Sequence, residues 1–293
     1  MDSIQSHSIF KKINDHRTKL TPKGRILGGY IIENARKVVF MTAKELAETS
    51  GVSEATVVRF VKQLGYDRYG AFLQTLREIM DSELTMLDRM DLTNIKGPDA
   101  ARFSKVVSEE IDNLKQLFKV LDLGIIDRIL DYLHKCKNVY VIGSRASYAM
   151  AHYMGWSLTK VRENVNILRG SDSTCIDWLT FAHPDSLVVI IAIARYPNEL
   201  IQIGKLVRRL NHTLVVITDS ATSPLIQFAH EHVIAPSRFI RLIGSPITIS
   251  CIILYMVLEL AGRKGEETKT HQEKLERSYL ENDVLFNYGE DNL

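Results

Sequence analysis

The chain has 293 residues, 45% hydrophobic and 25% charged, enough for about two domains with a core each, which argues against disorder of the whole chain. The formal net charge is only +2, but residues 1–72 hold 12 Lys and Arg against 7 Asp and Glu; a DNA-binding module joined to a slightly acidic remainder has this asymmetry, and a solvated basic face is the plain alternative. The three cysteines, Cys136, Cys175 and Cys251, form no C-x-x-C and have no histidine at ligand spacing, so no disulfide framework, metal site or cofactor motif is read, and with no leader pattern or spanning apolar stretch the expected location is the cytoplasm with no membrane partner.

Thr21-Pro22 opens a first helix, because proline tolerates the first turn, and Ile26, Tyr30 and Ile31 recur at helical spacing. Gly24, Gly28 and Gly29 weaken it, each costing about 1 kcal/mol against alanine. Thr42-Ala43-Lys44-Glu45 is a capping box, in which hydroxyl and carboxylate satisfy reciprocal backbone donors. A second helix therefore begins near Met41 or Thr42 and stops at Ser50-Gly51, where glycine takes the left-handed conformation that ends a helix. Ser53 caps a third helix whose buried stripe is Val57, Phe60, Val61 and Leu64.

Two short helices joined by a tight glycine turn form a DNA-reading motif. Ala47 is small where the helices cross, and Val52 and Val57 fill the corner. Ala55, Arg59 and Lys62 then face away from the core, while Ser53, Glu54 and Thr56 ring the leading turn that enters a major groove. Arg59 suits a guanine or a phosphate, Lys44 and Lys62 suit phosphates, and Thr42 with the helix N-termini suits the DNA backbone. A helical hairpin with solvated charges is the alternative. Leu20-Thr21-Pro22, Phe40-Met41-Thr42, Glu45-Leu46-Ala47, the run Gly51 to Phe60 and Leu64-Gly65-Tyr66 together resemble the N-terminal domain of the RpiR/MurR family of regulators. The resemblance implies a sugar-metabolism regulator whose second domain has the sugar isomerase (SIS) fold.

Gly97-Pro98 marks a linker. From Ala100 to Asp122 a helix is expected, with Val107, Ile111, Leu114, Phe118 and Leu121 as an apolar stripe that buries in the same chain or seams a dimer. Operator half-sites call for two reading heads, so a homodimer or homotetramer is expected. Beyond it strands at Asn138–Gly143, Val165–Leu168, Ser186–Ile193, Thr213–Thr218 and His232–Ala235 alternate with helices at Ala146–Val161, Asn198–Leu210, Pro224–Ala229 and Pro246–Ala261. That order argues a parallel sheet covered on both faces. Cys251, within an apolar run, reads as a buried small hydrophobe. The end of the chain, from Gly262, looks helical through Leu275, Tyr279 and Leu285 and suits a clamp on a neighbouring subunit.

The fold class is therefore α/β: an all-α helix-turn-helix domain (1–93), a linker and connecting helix (94–122), a doubly wound parallel-sheet SIS domain of flavodoxin-like form (123–262) and a helical tail (263–293). Ligands in such sheets lie beyond the carboxyl ends of the strands, at the switch point. The turn Gly143-Ser144-Arg145-Ala146-Ser147 offers close backbone approach, hydroxyls and a cation for an anion; a simple βα turn with a serine cap is the alternative. It resembles the SIS signature, with Gly143 and Ser147 in matching places and Arg145 where a small residue is usual. The loop Ala192 to Leu200 resembles the second SIS loop, but Ala192 and Leu200 stand about where phosphosugar-binding members carry Ser and Thr. Either Arg145 and Arg195 replace those hydroxyls as phosphate clamps or the ligand differs.

The candidate ligand set is Gly143, Ser144, Arg145, Ser147, Arg195, Asn198 and Glu199, and Ser171 to Thr174 lie after the second strand. The functional expectation is a regulator whose affinity for double-stranded operator DNA is controlled by a phosphorylated sugar or related anionic metabolite. The alternative is a sugar-phosphate isomerase, for which Glu199 or His152 would supply the base; His183 reads as a loop residue.

Overall fold

Residues 8–81, 100–237 and 244–285 are described by the structure, a computed structural model; the linker expected at Gly97-Pro98 lies outside them. The chain divides into two compact units, the first within residues 1–98 and the second made of 99–239 and 244–293.

The helices of the first unit are α1 (Ser8–Asp15), α2 (Pro22–Glu33), α3 (Ala35–Val38), α4 (Ala43–Ser50), α5 (Glu54–Gln63) and α6 (Tyr69–Asp81). Thr21 caps α2 by accepting from the Gly24 amide, with Pro22 in the first turn as expected. The inward face of α2 is Gly24, Leu27, Gly28 and Ile31, whereas Ile26 is 58% exposed. The glycines explain this: a Cβ on Gly28 would lie 3.1 Å from Ile13 and 3.5 Å from the Phe60 ring, so the residue that weakens the helix lets α1 and α5 close on it. Phe10, Leu27, Ile31, Leu46, Phe60, Phe72, Leu76 and Met80 form the centre of this core, with Phe72 edge-on to Phe60 and Tyr66. The Tyr69 hydroxyl donates to the Met41 carbonyl at 2.9 Å and Arg77 Nε to the Val39 carbonyl at 2.7 Å, pinning α6 beside the start of α4. Burial pushes the Tyr69 phenol up to about 12.

The second unit contains α7 (Ala100–Val120), α8 (Leu123–Lys135), β1 (Asn138–Gly143), α9 (Ser147–Leu158), β2 (Val165–Arg169), α10 (Thr174–Thr180), β3 (Ser186–Ala192), α11 (Asn198–Arg209), β4 (Thr213–Thr218), β5 (Glu231–Ile234), α12 (Ile247–Lys264) and α13 (Glu266–Glu281). All strand pairs are parallel, in the order β2-β1-β3-β4-β5. Both faces are covered: Val139, Val141, Val189 and Val215 pack with α8, α9 and α12, and Tyr140, Ile142, Val188, Ile190 and Val216 pack with α10 and α11. The central strand β3 is buried at all its positions, which is why it reads as a continuous apolar run. Arg128 grips Glu231 with two hydrogen bonds, Nε to Oε1 at 2.5 Å and Nη2 to Oε2 at 3.0 Å, tying α8 to β5.

Arg162, 7% exposed, sits where α9 gives way to β2. Its guanidinium donates to the carbonyls of Leu133, Cys136, Lys137 and Glu163 and to the Cys136 sulfur, satisfying backbone acceptors left over at the end of α8.

Several expectations change. Of the stripe left open between burial in the same chain and a dimer seam, Val107, Ile111, Leu114 and Phe118 face outward, Phe118 at 89% exposure, and Leu121 packs against the core, while Glu110, Asn113 and Leu117 face inward. Segment Pro224–Ala229 holds only a 3-10 turn at Ile226–Phe228. Helix α10 escapes the periodic pattern because only Cys175 and Leu179 are buried in it. Cys251 is exposed, since the core side of α12 is Thr248, Ile249, Ile252, Ile253, Met256 and Leu260 and residue 251 falls opposite, with Leu254 and Leu258. Helix α13 buries none of its residues and holds α9 by polar contacts, His271 with the Thr159 carbonyl and Gln272 with that of Lys160. Among the described residues no helix is long and apolar enough to cross a membrane.

Candidate functional site

The first candidate site is the α4–α5 pair. Thr42 caps α4: the Glu45 amide donates to its Oγ1 at 3.2 Å, and its own amide donates to Glu45 Oε2 at 2.7 Å, completing the capping box. Those bonds hold the Glu45 carboxyl below the usual carboxylate range. Gly51 closes α4 at φ 71°, in the left-handed region, and Ser53 caps α5 by accepting from the Thr56 amide. Thr42, Lys44, Ser53, Glu54, Ala55, Arg59 and Lys62 are exposed, with Arg59 Nε leaning back on the Ala55 carbonyl at 3.3 Å.

Thr56 departs from expectation. It is 7% exposed, and its hydroxyl meets the Ser53 hydroxyl at 2.9 Å. One turn before Phe60 on the same helix, it belongs to the inward face and not to the leading rim.

The second candidate site lies where the sheet order reverses, between β1 and β3. Gly143 ends β1, and a Cβ there would come within 2.6 Å of the Ser147 carbonyl oxygen and 2.9 Å of Ala151 Cβ; only glycine lets α9 start this close to the strand. The Ser147 hydroxyl donates to the Ser144 carbonyl at 2.8 Å and accepts from the Ser144 amide at 3.2 Å. The Ser144 hydroxyl donates to Glu199 Oε1 at 2.5 Å, stitching the turn after β1 to the start of α11. Ser144 and Ser147 are buried at 1% and 2% exposure. Both hydroxyls expected to meet a ligand also hold the loop together, Ser147 within its own turn and Ser144 across to Glu199. Glu199 is held below the usual carboxylate range, first by the Ser144 hydrogen bond and then by its own backbone amide, with Arg145 adding charge.

Arg145 and Arg195 are both exposed and both have left-handed backbones, φ 52° and 65°, a conformation that costs a bulky side chain on the order of 1 kcal/mol or more. The Arg195 loop is locked by Asp219, which accepts from the Ala194 amide at 2.8 Å and the Tyr196 hydroxyl at 2.9 Å; burial and the neighbouring Asp219 charge push the Tyr196 phenol strongly up. Tyr196 and the locking role of Asp219 escape a sequence reading, whose only signal is an acid directly after β4. Ala192 and Leu200 are buried in the core. Asn198 is exposed at the first turn of α11. His152 is exposed and tilted over Tyr148, and His183 pairs with Asp185. Among the described residues no cluster suited to a metal ion occurs.

The fold and the two sites define a protein in which a helix-turn-helix unit is followed by a doubly wound parallel-sheet unit. Residues 7–83 match the helix-turn-helix domain of the rpiR family and residues 132–262 match the SIS domain. The chain belongs to the RpiR family of helix-turn-helix proteins that carry a SIS domain. It is 24% identical over 279 residues, 93% of this chain and 96% of the other, to the HTH-type transcriptional regulator HexR of Pseudomonas aeruginosa. The structure of the Vibrio vulnificus NanR protein complexed with ManNAc-6P is similar over 96% of this chain and 100% of that one, at TM-score 0.56 and 21% identity. The sugar isomerase domain of an RpiR transcription factor from Sphaerobacter thermophilus matches 59% of this chain and 97% of its own, at TM-score 0.57 and 21% identity. At such identities these two structures speak for the fold.

Proposed function

We propose that the chain is a transcriptional regulator that grips operator DNA with α5 in the major groove, and whose operator affinity is set by a phosphorylated sugar or related anionic metabolite held between the turns after β1 and β3. One observation carries the reading: two exposed arginines, Arg145 and Arg195, keep costly left-handed backbones at adjacent turns of the switch point, in a chain whose other unit presents a capped, exposed α5. Strain retained at a cleft is a mark of a ligand site, and guanidinium groups fit phosphate. The NanR neighbour, complexed with ManNAc-6P, supports the ligand class. Ligand binding then biases the geometry between two reading heads.

The second head comes from a second copy of the chain. The outward stripe of α7, with Phe103, Val107, Ile111 and Phe118, and the outward Leu254 and Leu258 of α12 are apolar and uncovered; α7 and α12 are in contact, so the two stripes suit one homodimer seam, and a homotetramer would pair two such dimers. The regulator acts in the cytoplasm, where it meets DNA. Glu199 suits the base of a sugar-phosphate isomerase poorly, since a general base works best with a pKa near the operating pH and the Ser144 hydroxyl already occupies this carboxylate and holds it low.

Mobility shifts on duplexes selected from a random pool, with and without sugar phosphates, test the reading. A complex whose midpoint moves with one sugar phosphate is expected; indifference to duplex DNA at low salt overturns the reader, and a midpoint unmoved by every sugar phosphate overturns the sensor. Arg59→Ala is expected to cost about 1 to 3 kcal/mol at a specific site if it reads a base.

A further inference from the structure

A cavity of about 400 Å³ lies at the outer edge of β2, and one of its lining residues, Tyr148, follows Ser147 in α9. Its size falls within the range of small-molecule sites. Tyr148 comes from α9, Asn166 and Arg169 from β2, Asp172 from the loop after it and Trp178 from α10. Arg169 stands opposite Gly143 in the strand register, so the cavity begins one strand away from the turn that carries Arg145. The Arg169 guanidinium lies over the Tyr148 ring, 4.7 Å from its centroid. Asp172 is fixed by the amide and hydroxyl of Thr174, each at 3.0 Å, and the Trp178 residue is 53% exposed.

The lining offers an indole and three planar polar groups around the edge of β2, Asn166 on the side of α10 and Arg169 on the side of α9: an amide that donates and accepts, a carboxylate that accepts and a guanidinium that donates. A sugar ring has the complementary chemistry, C–H groups on one face for the indole and adjacent hydroxyls around the rim for bidentate hydrogen bonds. One cation beside one carboxylate leaves no net charge to draw a second anion, so the unit held here is neutral.

We propose that this cavity is a saccharide subsite that holds a neutral sugar ring against Trp178, so that the effector is a phosphorylated glycoside of two sugar units with its phosphate in the crevice. The proposal rests on the reading of the crevice as a phosphate site, and the test separates the two. The sequence has two tryptophans, so Trp156→Phe leaves Trp178 as the lone indole reporter in the full-length protein. Its emission is followed while cellobiose, glucose 6-phosphate and cellobiose 6'-phosphate are added. Cellobiose is expected to shift the emission, Asn166→Ala to weaken that binding by about tenfold through loss of hydrogen bonds, and Arg145→Ala with Arg195→Ala to leave it unchanged. Cellobiose 6'-phosphate is expected to bind more than about tenfold tighter than either simpler ligand, as joined contacts require.

No emission change with cellobiose, lactose or di-N-acetylchitobiose, together with no competition by them in calorimetry, overturns the subsite. Cellobiose binding that gains nothing from the added phosphate overturns the two-unit effector and assigns the ring to a free sugar. Failure of glucose 6-phosphate to bind while cellobiose still does removes the crevice reading and leaves the subsite standing.

Discussion

At the two helix starts of the reading head, polar groups find their partners three residues away: Thr42 with Glu45, and Ser53 with Thr56. In the crevice one pair is local, Ser144 with Ser147, but the bonds that tie one loop to another join residues remote in sequence, Ser144 with Glu199 across 55 residues, Tyr196 with Asp219 across 23 and Ala194 with Asp219 across 25. The first arrangement is stable wherever its two helices form and leaves no strain in the cap residues. The second exists only when the sheet has brought three loops together, and it keeps Arg145 and Arg195 in backbones that glycine would occupy at less cost. The contrast teaches that the surface proposed to contact DNA is preorganised locally, whereas the surface proposed to hold the effector is tied to the tertiary state of its own unit, so ligand contacts there would act on the sheet and its helices.

The strongest way to break this comparison is Phe60→Ala, which empties a wholly buried ring from the first core and is expected to cost about 3 to 5 kcal/mol. Calorimetry should then show the first unit melting early and the second unmoved; a joint fall of both transitions would mean that the units are not separate. Two smaller changes of opposite sign sharpen it. Thr42→Ala should lower the stability of the first unit by about 1 kcal/mol by removing the cap, read as an earlier first melting transition with the second in place. Arg195→Gly should raise the stability of the second unit by about 1 kcal/mol by relieving the left-handed backbone while weakening sugar-phosphate binding; a variant that loses both stability and binding would show that the arginine is held for packing.

The smallest expected effect is on pH dependence. Glu199 titrates below its ordinary 4.5 in the folded protein; a depressed carboxyl contributes stability that is present above the unfolded value and lost as pH falls through the folded one. Ser144→Ala should therefore melt earlier than the unaltered protein at neutral pH, with the gap narrowing below pH 4.5.

The same contrast decides what could be read beforehand. The capping box, the Gly51 stop and the Ser53 cap are legible because each signal and its partner share one turn of chain. Strands β1 and β4 keep their expected bounds, since Asn138–Gly143 and Thr213–Thr218 carry apolar runs that a parallel sheet buries on both faces. Helix α7 shows the limit: periodicity finds the helix and its apolar stripe, but not that the single chain would bury Glu110, Asn113 and Leu117 instead. Cys251 fails likewise, because in a helix apolar almost all round the pattern does not say which side faces the sheet. The hydroxyl of Ser144 is visible in sequence but its engagement is not, as Glu199 is brought up only by the sheet. A left-handed arginine carries no sequence mark at all, whereas a glycine in that place would.

The oxygen acceptors of Arg162 are main-chain carbonyls, which have no proton to take up in acid. Acid that dissolves the clasp between Arg128 and Glu231 on the β5 flank leaves the bonds from Arg162 to the end of α8 in place, so the second unit is expected to come apart from its β5 flank first.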